Sequence, residues 1–104
     1  MSEAEKLYTK IGQALEGVEL GKMFGKLCLK FEGKAFAAFF KEEMVFKLKG
    51  VDHEEALKLK GAQLFDPSGK GRPMKEWVQV PFVYRAEWKE LAEKAMKYVW
   101  GQLK

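Results

Sequence analysis

Cysteine and histidine are almost absent from the sequence: each occurs once, as Cys28 and His53. A lone cysteine excludes an intramolecular disulfide framework and points to a reducing compartment. The same scarcity removes the usual zinc sets, which need several Cys or His ligands at short repeated spacings. No metal and no other cofactor is expected. Long apolar runs are missing too. No stretch approaches the roughly 20 apolar residues that a membrane-spanning helix needs. The polar, acidic start, MSEAEKLYTK, has no core fit for a secretory signal. The expectation is a cytoplasmic protein without membrane contact. Arginine is scarce as well, at positions 72 and 85 alone, so the net charge of +4 rests on lysines dispersed among 15 acidic residues. A nucleic-acid footprint concentrates its charge in a stripe that includes arginine. Specific nucleic-acid binding is therefore not expected, despite a sequence pI of about 9.1.

The 104 residues, 47% hydrophobic and 33% charged, suit one globular domain over 1–104 that buries a core without a covalent staple. Linkers, repeats and low-complexity segments do not stand out. Leu7, Tyr8, Ile11 and Leu15 recur at helical spacing, which predicts an amphipathic helix over 3–16, stopped by Gly17. The period then changes to two. Leu27, Leu29 and Phe31 alternate with Lys26, Cys28 and Lys30, and a Glu32–Lys34 turn leads into a second strand from about Ala35 to Lys41. A third strand carries Met44, Phe46 and Leu48. Connections this short permit antiparallel hairpins and not parallel crossovers. Asp52, with Glu55 three positions on, reads as the cap of a short helix ending at Gly61. Strands are predicted at 62–66 and 75–81. From about Arg85 the chain reads as helix, with Trp88, Leu91, Ala92, Ala95 and Val99 on one stripe. The expected fold is α+β, an antiparallel five-stranded sheet with flanking helices in the order α-β-β-β-α-β-β-α.

Strict alternation assigns Leu27, Leu29, Phe31, Phe36, Ala38, Phe40, Met44, Phe46 and Leu48 to the core face of that sheet. The other face should be polar where water covers it. Instead Cys28, Ala37, Phe39 and Val45 would form a small apolar island there, rimmed by Lys26, Lys30, Lys47 and Lys49. Such an island is partly covered by a terminal helix, or is a tolerable exposed patch, or serves as a surface for a protein partner or a second copy of the chain.

The stretch FDPSGKGRPMKEWVQVP, residues 65–81, sets glycines and cations before a strand. A phosphate-binding P-loop requires glycine where Leu64 stands and Ser or Thr where Gly71 stands, at a strand-to-helix junction. Spacing and context both fail, and Asp66-Pro67 with two glycines is the chemistry of a hairpin turn. A weaker anion nest, with Lys22, Lys70, Arg72, Lys75 and Trp77 as ligand-binding residues, is the alternative. Cys28 sits mid-strand, far in sequence from His53, and no paired acids share an evident role. No catalytic residue is assigned, and an enzyme is not expected.

The segments KMFGK (22–26), FEGKAFAAFFKEEMVFKL (31–48) and LFDPSGKGRPMKEWVQVP (64–81) together resemble the TfoX/Sxy N-terminal domain family, in particular its short stand-alone members. The resemblance covers roughly residues 18–100, and its motifs are structural. It implies an α+β fold with an antiparallel sheet and flanking helices. It also implies a bacterial regulatory role: full-length members regulate natural competence, acting with the cyclic-AMP receptor protein at promoters. Those regulators carry a second, C-terminal domain, for which 104 residues leave no room, and they often have Gly-Gly where this chain has Gly25-Lys26. A YjbR-like domain is the second resemblance. The functional expectation is a small non-catalytic regulatory or protein-interaction domain. The alternatives are a small-ligand or anion-binding module, or a nucleic-acid-binding accessory protein.

Overall fold

The computed structural model describes residues 2–23 and 25–102, so Phe24 of the KMFGK motif lies outside the described residues. The chain runs α1 (Glu3–Ala14), β1 (Val18–Met23), β2 (Lys26–Phe31), β3 (Lys34–Phe40), β4 (Glu43–Lys47), α2 (Gly50–Lys58), β5 (Gln63–Phe65) and β6 (Met74–Val80). A single 3₁₀ turn, Phe82–Tyr84, then leads into α3 (Arg85–Gln102). The class is α+β, as expected, with one more strand than the sequence suggested. The six strands form one antiparallel sheet in the order β1-β2-β3-β4-β6-β5.

The additional strand is β1. Its sequence, VELGKM, has little apolar alternation of its own and a glycine at its centre, which gives a weak strand signal. It becomes a strand because β2 presents a row of backbone donors and acceptors that need partners. Register runs from Val18 opposite Phe31 to Met23 opposite Lys26.

Helix α1 starts where Ser2 accepts a hydrogen bond from the Glu5 N–H at 3.1 Å, an N-cap that satisfies one of the open donors of the first turn. Helix α2 starts earlier than expected, at Gly50, with Lys49 as a cap residue that makes no side-chain bond. Asp52 is thus inside the first turn and does not cap. Its carboxylate instead meets Lys94 of α3 at 3.7 Å.

All three helices pack on one face of the sheet: α1 over β1, α3 across β3 and β4, and α2 against β6. The core between them joins Tyr8 and Ile11 to Leu29, Phe36, Met44, Phe46, Val78 and Val80, with Trp88, Ala92, Ala95 and Val99 from α3. The stripe expected on the last helix is the one buried. Each large apolar side chain removed from water here contributes about 1.5–3 kcal/mol.

Alternation fails in β3. Leu29 pairs with Ala37 and Lys30 with Ala35, leaving Phe36 as an extra, bulged residue. Beyond the bulge the side chains exchange faces. Ala37 and Phe39 join Phe36 in the core under the helices, where Phe39 lies 5.3 Å from the Tyr8 ring. Ala38 and Phe40, expected on the helix side, occupy the opposite face.

That opposite face carries a second, smaller core of Cys28, Ala38, Val45, Phe65 and Trp77, with Phe40 and Met74 packed against it. Phe40 in β3 and Phe65 in β5 are three strand positions apart, about 14 Å in a flat sheet. Their ring centroids are 5.3 Å apart in an edge-to-face contact. The sheet is therefore coiled. Bulges explain much of the curvature: besides the one at Phe36, the register of β5 on β6 jumps from Leu64–Val78 to Phe65–Met74. No helix among the described residues is long and apolar enough to cross a membrane.

Candidate functional site

The glycine-rich loop connects β5 to β6, and its backbone donors are already occupied. The Asp66 carboxylate accepts from the N–H groups of Ser68 (3.2 Å), Gly69 (3.1 Å) and Gly71 (2.9 Å), and from the Ser68 hydroxyl at 2.7 Å. The Ser68 hydroxyl, followed by the Gly71, Gly69 and Arg72 backbone groups, holds the Asp66 carboxyl below its ordinary value of 3.8. A carboxyl whose pKa is lowered on folding stabilises the fold above its unfolded value. This support is complete above about pH 4 and is lost as the pH falls further. The loop forms an anion nest, and the chain's own carboxylate fills it.

Gly69 and Gly71 hold this loop at φ of 68° and 76°, and no atom lies within 4 Å of a side chain added at either. Replacement by alanine should therefore cost only the conformational term, about 1 kcal/mol for Gly69→Ala or Gly71→Ala. Chemical denaturation measures it, and unchanged midpoints for both variants would remove the turn assignment.

The five residues expected to bind a ligand do not converge. Lys70 and Arg72 are exposed on the loop, and Lys75 is exposed at the start of β6. The Lys75 carbonyl accepts a hydrogen bond from His53 Nε2 at 2.7 Å, which fixes the imidazole against the strand. Trp77 is only 7% exposed and belongs to the second core. Lys22 lies on edge strand β1 and, by alternation, shares the helix-side face of Leu20. No hydrogen bond or ion pair joins any two of the five among the described residues.

The apolar island expected on the outer sheet face is not a surface. Cys28, Ala37, Phe39 and Val45 are all buried, and they are divided between two cores. The bulge takes Ala37 and Phe39 under the helices. Coiling closes the other core over Cys28 and Val45, and that burial pushes the Cys28 thiol pKa up.

Three of the four lysines of the expected rim also stand against aromatic rings. Lys47 and Lys49 lie 5.7 and 5.9 Å from the centre of the Tyr98 ring, and Lys26 lies 5.1 Å from that of Phe40. Tyr98 donates its hydroxyl to the Glu76 carboxylate, and this bond, with some burial and the nearby charge, raises the phenol pKa.

Apolar surface is instead exposed on the helix side. The end of α1, the end of β2 and the last turns of α3 enclose a groove of about 450 Å³. Leu15, Phe31, Met96 and Trp100 form its apolar lining, and Glu16, Glu93 and Lys97 complete it. Trp100 is 47% exposed. Met96 and Trp100 are four residues apart, one position beyond the buried Ala95 and Val99 on α3, so they flank the core stripe and do not extend it. That offset from the core stripe is the signal in the sequence that points to an apolar flank on α3.

A second recess, about 400 Å³, separates α2 from α3 and is lined by charged side chains together with Ala56, Leu59 and Leu91. Lys94 bridges it, 3.7 Å from both Asp52 and Glu90. No group of three or more His, Cys, Asp or Glu side chains is placed to hold a metal among the described residues.

A scan against protein-family models finds no match to this chain, and searches of curated proteins and of solved structures find none either.

Proposed function

We propose that the chain is a small non-catalytic regulatory domain that works by protein contact, in the manner implied by its resemblance to the TfoX/Sxy N-terminal domains. Its contact surface is the groove between the ends of α1 and α3. The observation that carries this reading is the exposure of Trp100 beside Met96, Leu15 and Phe31 in one concave site. Aromatic side chains and methionine are enriched where proteins meet, and a tryptophan in a recess is the usual form of an anchor point. Among the described residues, the groove lining carries two carboxylates, Glu16 and Glu93, and one cation, Lys97. The fitting partner is a protein segment that presents an apolar side chain flanked by a basic one.

The anion-binding alternative is disfavoured because Asp66 already takes the loop's donors. The nucleic-acid alternative is disfavoured because Lys47 and Lys49 are held against Tyr98 and the arginines are not clustered.

The test is affinity capture from an extract of the source cell with three baits: the wild-type chain, Met96→Glu, and a Lys70→Ala/Arg72→Ala double variant. One protein should be recovered by the wild type and by the loop variant and lost with Met96→Glu. Recovery that survives Met96→Glu, or that depends on the loop, overturns the assignment to the groove.

A further inference from the structure

The two edges of the sheet differ. β5 is three residues long and runs directly into the Asp66-Pro67 turn, so it offers little to a pairing strand. β1 is six residues long and pairs only with β2. Among the described residues no strand pairs with its outer row of backbone donors and acceptors, and Leu20 at its centre is 47% exposed.

Gly21 gives this edge its particular chemistry. It lacks the positive φ that would explain a glycine by conformation. Lys30 of β2, which stands opposite Glu19 in the register, leans alongside Gly21, with its Cε and Nζ 3.5 and 3.8 Å from the position of an added Cβ, ordinary van der Waals contact. Lys30 thus reaches across Gly21 and delivers its ammonium group to the edge of the sheet. Glu19, on the same face two residues earlier, is exposed. Neither Glu19 nor Lys30 enters an ion pair among the described residues.

We infer that β1 pairs antiparallel with β1 of a second copy, about a two-fold axis through Leu20, joining two six-stranded sheets edge to edge. Symmetry limits the registers. An axis normal to the sheet maps each face onto itself, so residues directly opposite must share a face, and the axis passes through a residue. An axis at Glu19 sets the two Glu19 carboxylates against each other. An axis at Gly21 brings the two Lys30 ammonium groups together. An axis at Leu20 places Glu19 opposite Gly21 of the second copy, where that copy's Lys30 lies, and does so twice. On the other face it stacks Leu20 on Leu20 and sets Val18 beside the stem of Lys22. Only this register pairs unlike charges on one face and apolar groups on the other. The surface adjoins the α1–α3 groove at Val18 and Phe31 but shares no lining residue with it, so the inference does not rest on the proposed function.

Sedimentation equilibrium between about 5 and 500 µM tests it, a span that brackets association in the micromolar range. The wild type should move from its 12.0 kDa monomer toward twice that mass. Glu19→Lys and Lys30→Glu should each weaken association roughly ten-fold or more, since each sets like charges across both symmetric contacts. The double variant Glu19→Lys/Lys30→Glu should restore it, and Leu20→Lys should leave only monomer. Circular dichroism on the same samples checks that each variant is folded. A monomer at every concentration overturns the inference, as does a dimer indifferent to Glu19→Lys and Lys30→Glu.

Discussion

Phe65→Ala is expected to destabilise the fold by about 3–5 kcal/mol, the cost of removing a fully buried phenylalanine and leaving a cavity. Phe65 has no exposed surface, although it belongs to a three-residue edge strand. It is buried because the coiled sheet carries it over Phe40 and seals the second core. Against a total stability of about 5–15 kcal/mol for a domain of this kind, the loss is a large fraction. The single cysteine supplies an independent readout. Cys28 is fully buried in the same core, and burial raises its thiol pKa, which doubly protects it from a thiol-labelling reagent. In native buffer the wild type should label only through opening of the structure, whereas Phe65→Ala should label faster by about ten-fold or more. Rapid labelling of the wild type would show that the outer face of the sheet is open after all.

Trp88→Ala should cost a similar amount, about 3–5 kcal/mol. Trp88 is the largest fully buried side chain, and its ring meets Phe82 edge to face at 5.6 Å where the 3₁₀ turn enters α3. The comparison with Trp88→Phe is more telling. The indole Nε1 is buried and has no hydrogen-bond partner among the described residues. An unpaired buried donor costs about 1–3 kcal/mol, so phenylalanine recovers part of what it loses in volume. Trp88→Phe should therefore fall below about 2 kcal/mol on denaturation, well short of the alanine variant. Equal losses for the two would show that the indole N–H is satisfied in solution.

Legibility in the sequence followed the range of the interactions involved. β2 and β4 alternate cleanly, and their assigned faces are the observed ones, with Leu29 and Phe46 under the helices and Cys28 and Val45 opposite. β3 reads FAAFF through its centre and is apolar at nearly every position, so its pattern carries no phase. Pairing with β2 places the bulge at Phe36, and with it the faces of Ala37 and Phe39. Of the binding residues expected around the glycine-rich loop, all but Lys22 are neighbours in the sequence only. The loop folded on Asp66, and the strand carried Trp77 inward.

Periodicity and turn chemistry by themselves determined the α+β class, the antiparallel hairpins, the terminal helices and the hairpin turn at Asp66. Each depends on residues close enough in the chain for local backbone preference and one-sided burial to set the outcome. Only the tertiary structure decided that VELGKM is an edge strand, that the outer sheet face closes into a second core, and that apolar surface remains at Met96 and Trp100. These depend on sheet coiling and on where helix ends fall relative to the strands beneath them. Such distances are set between segments far apart in the chain, and no local pattern encodes them.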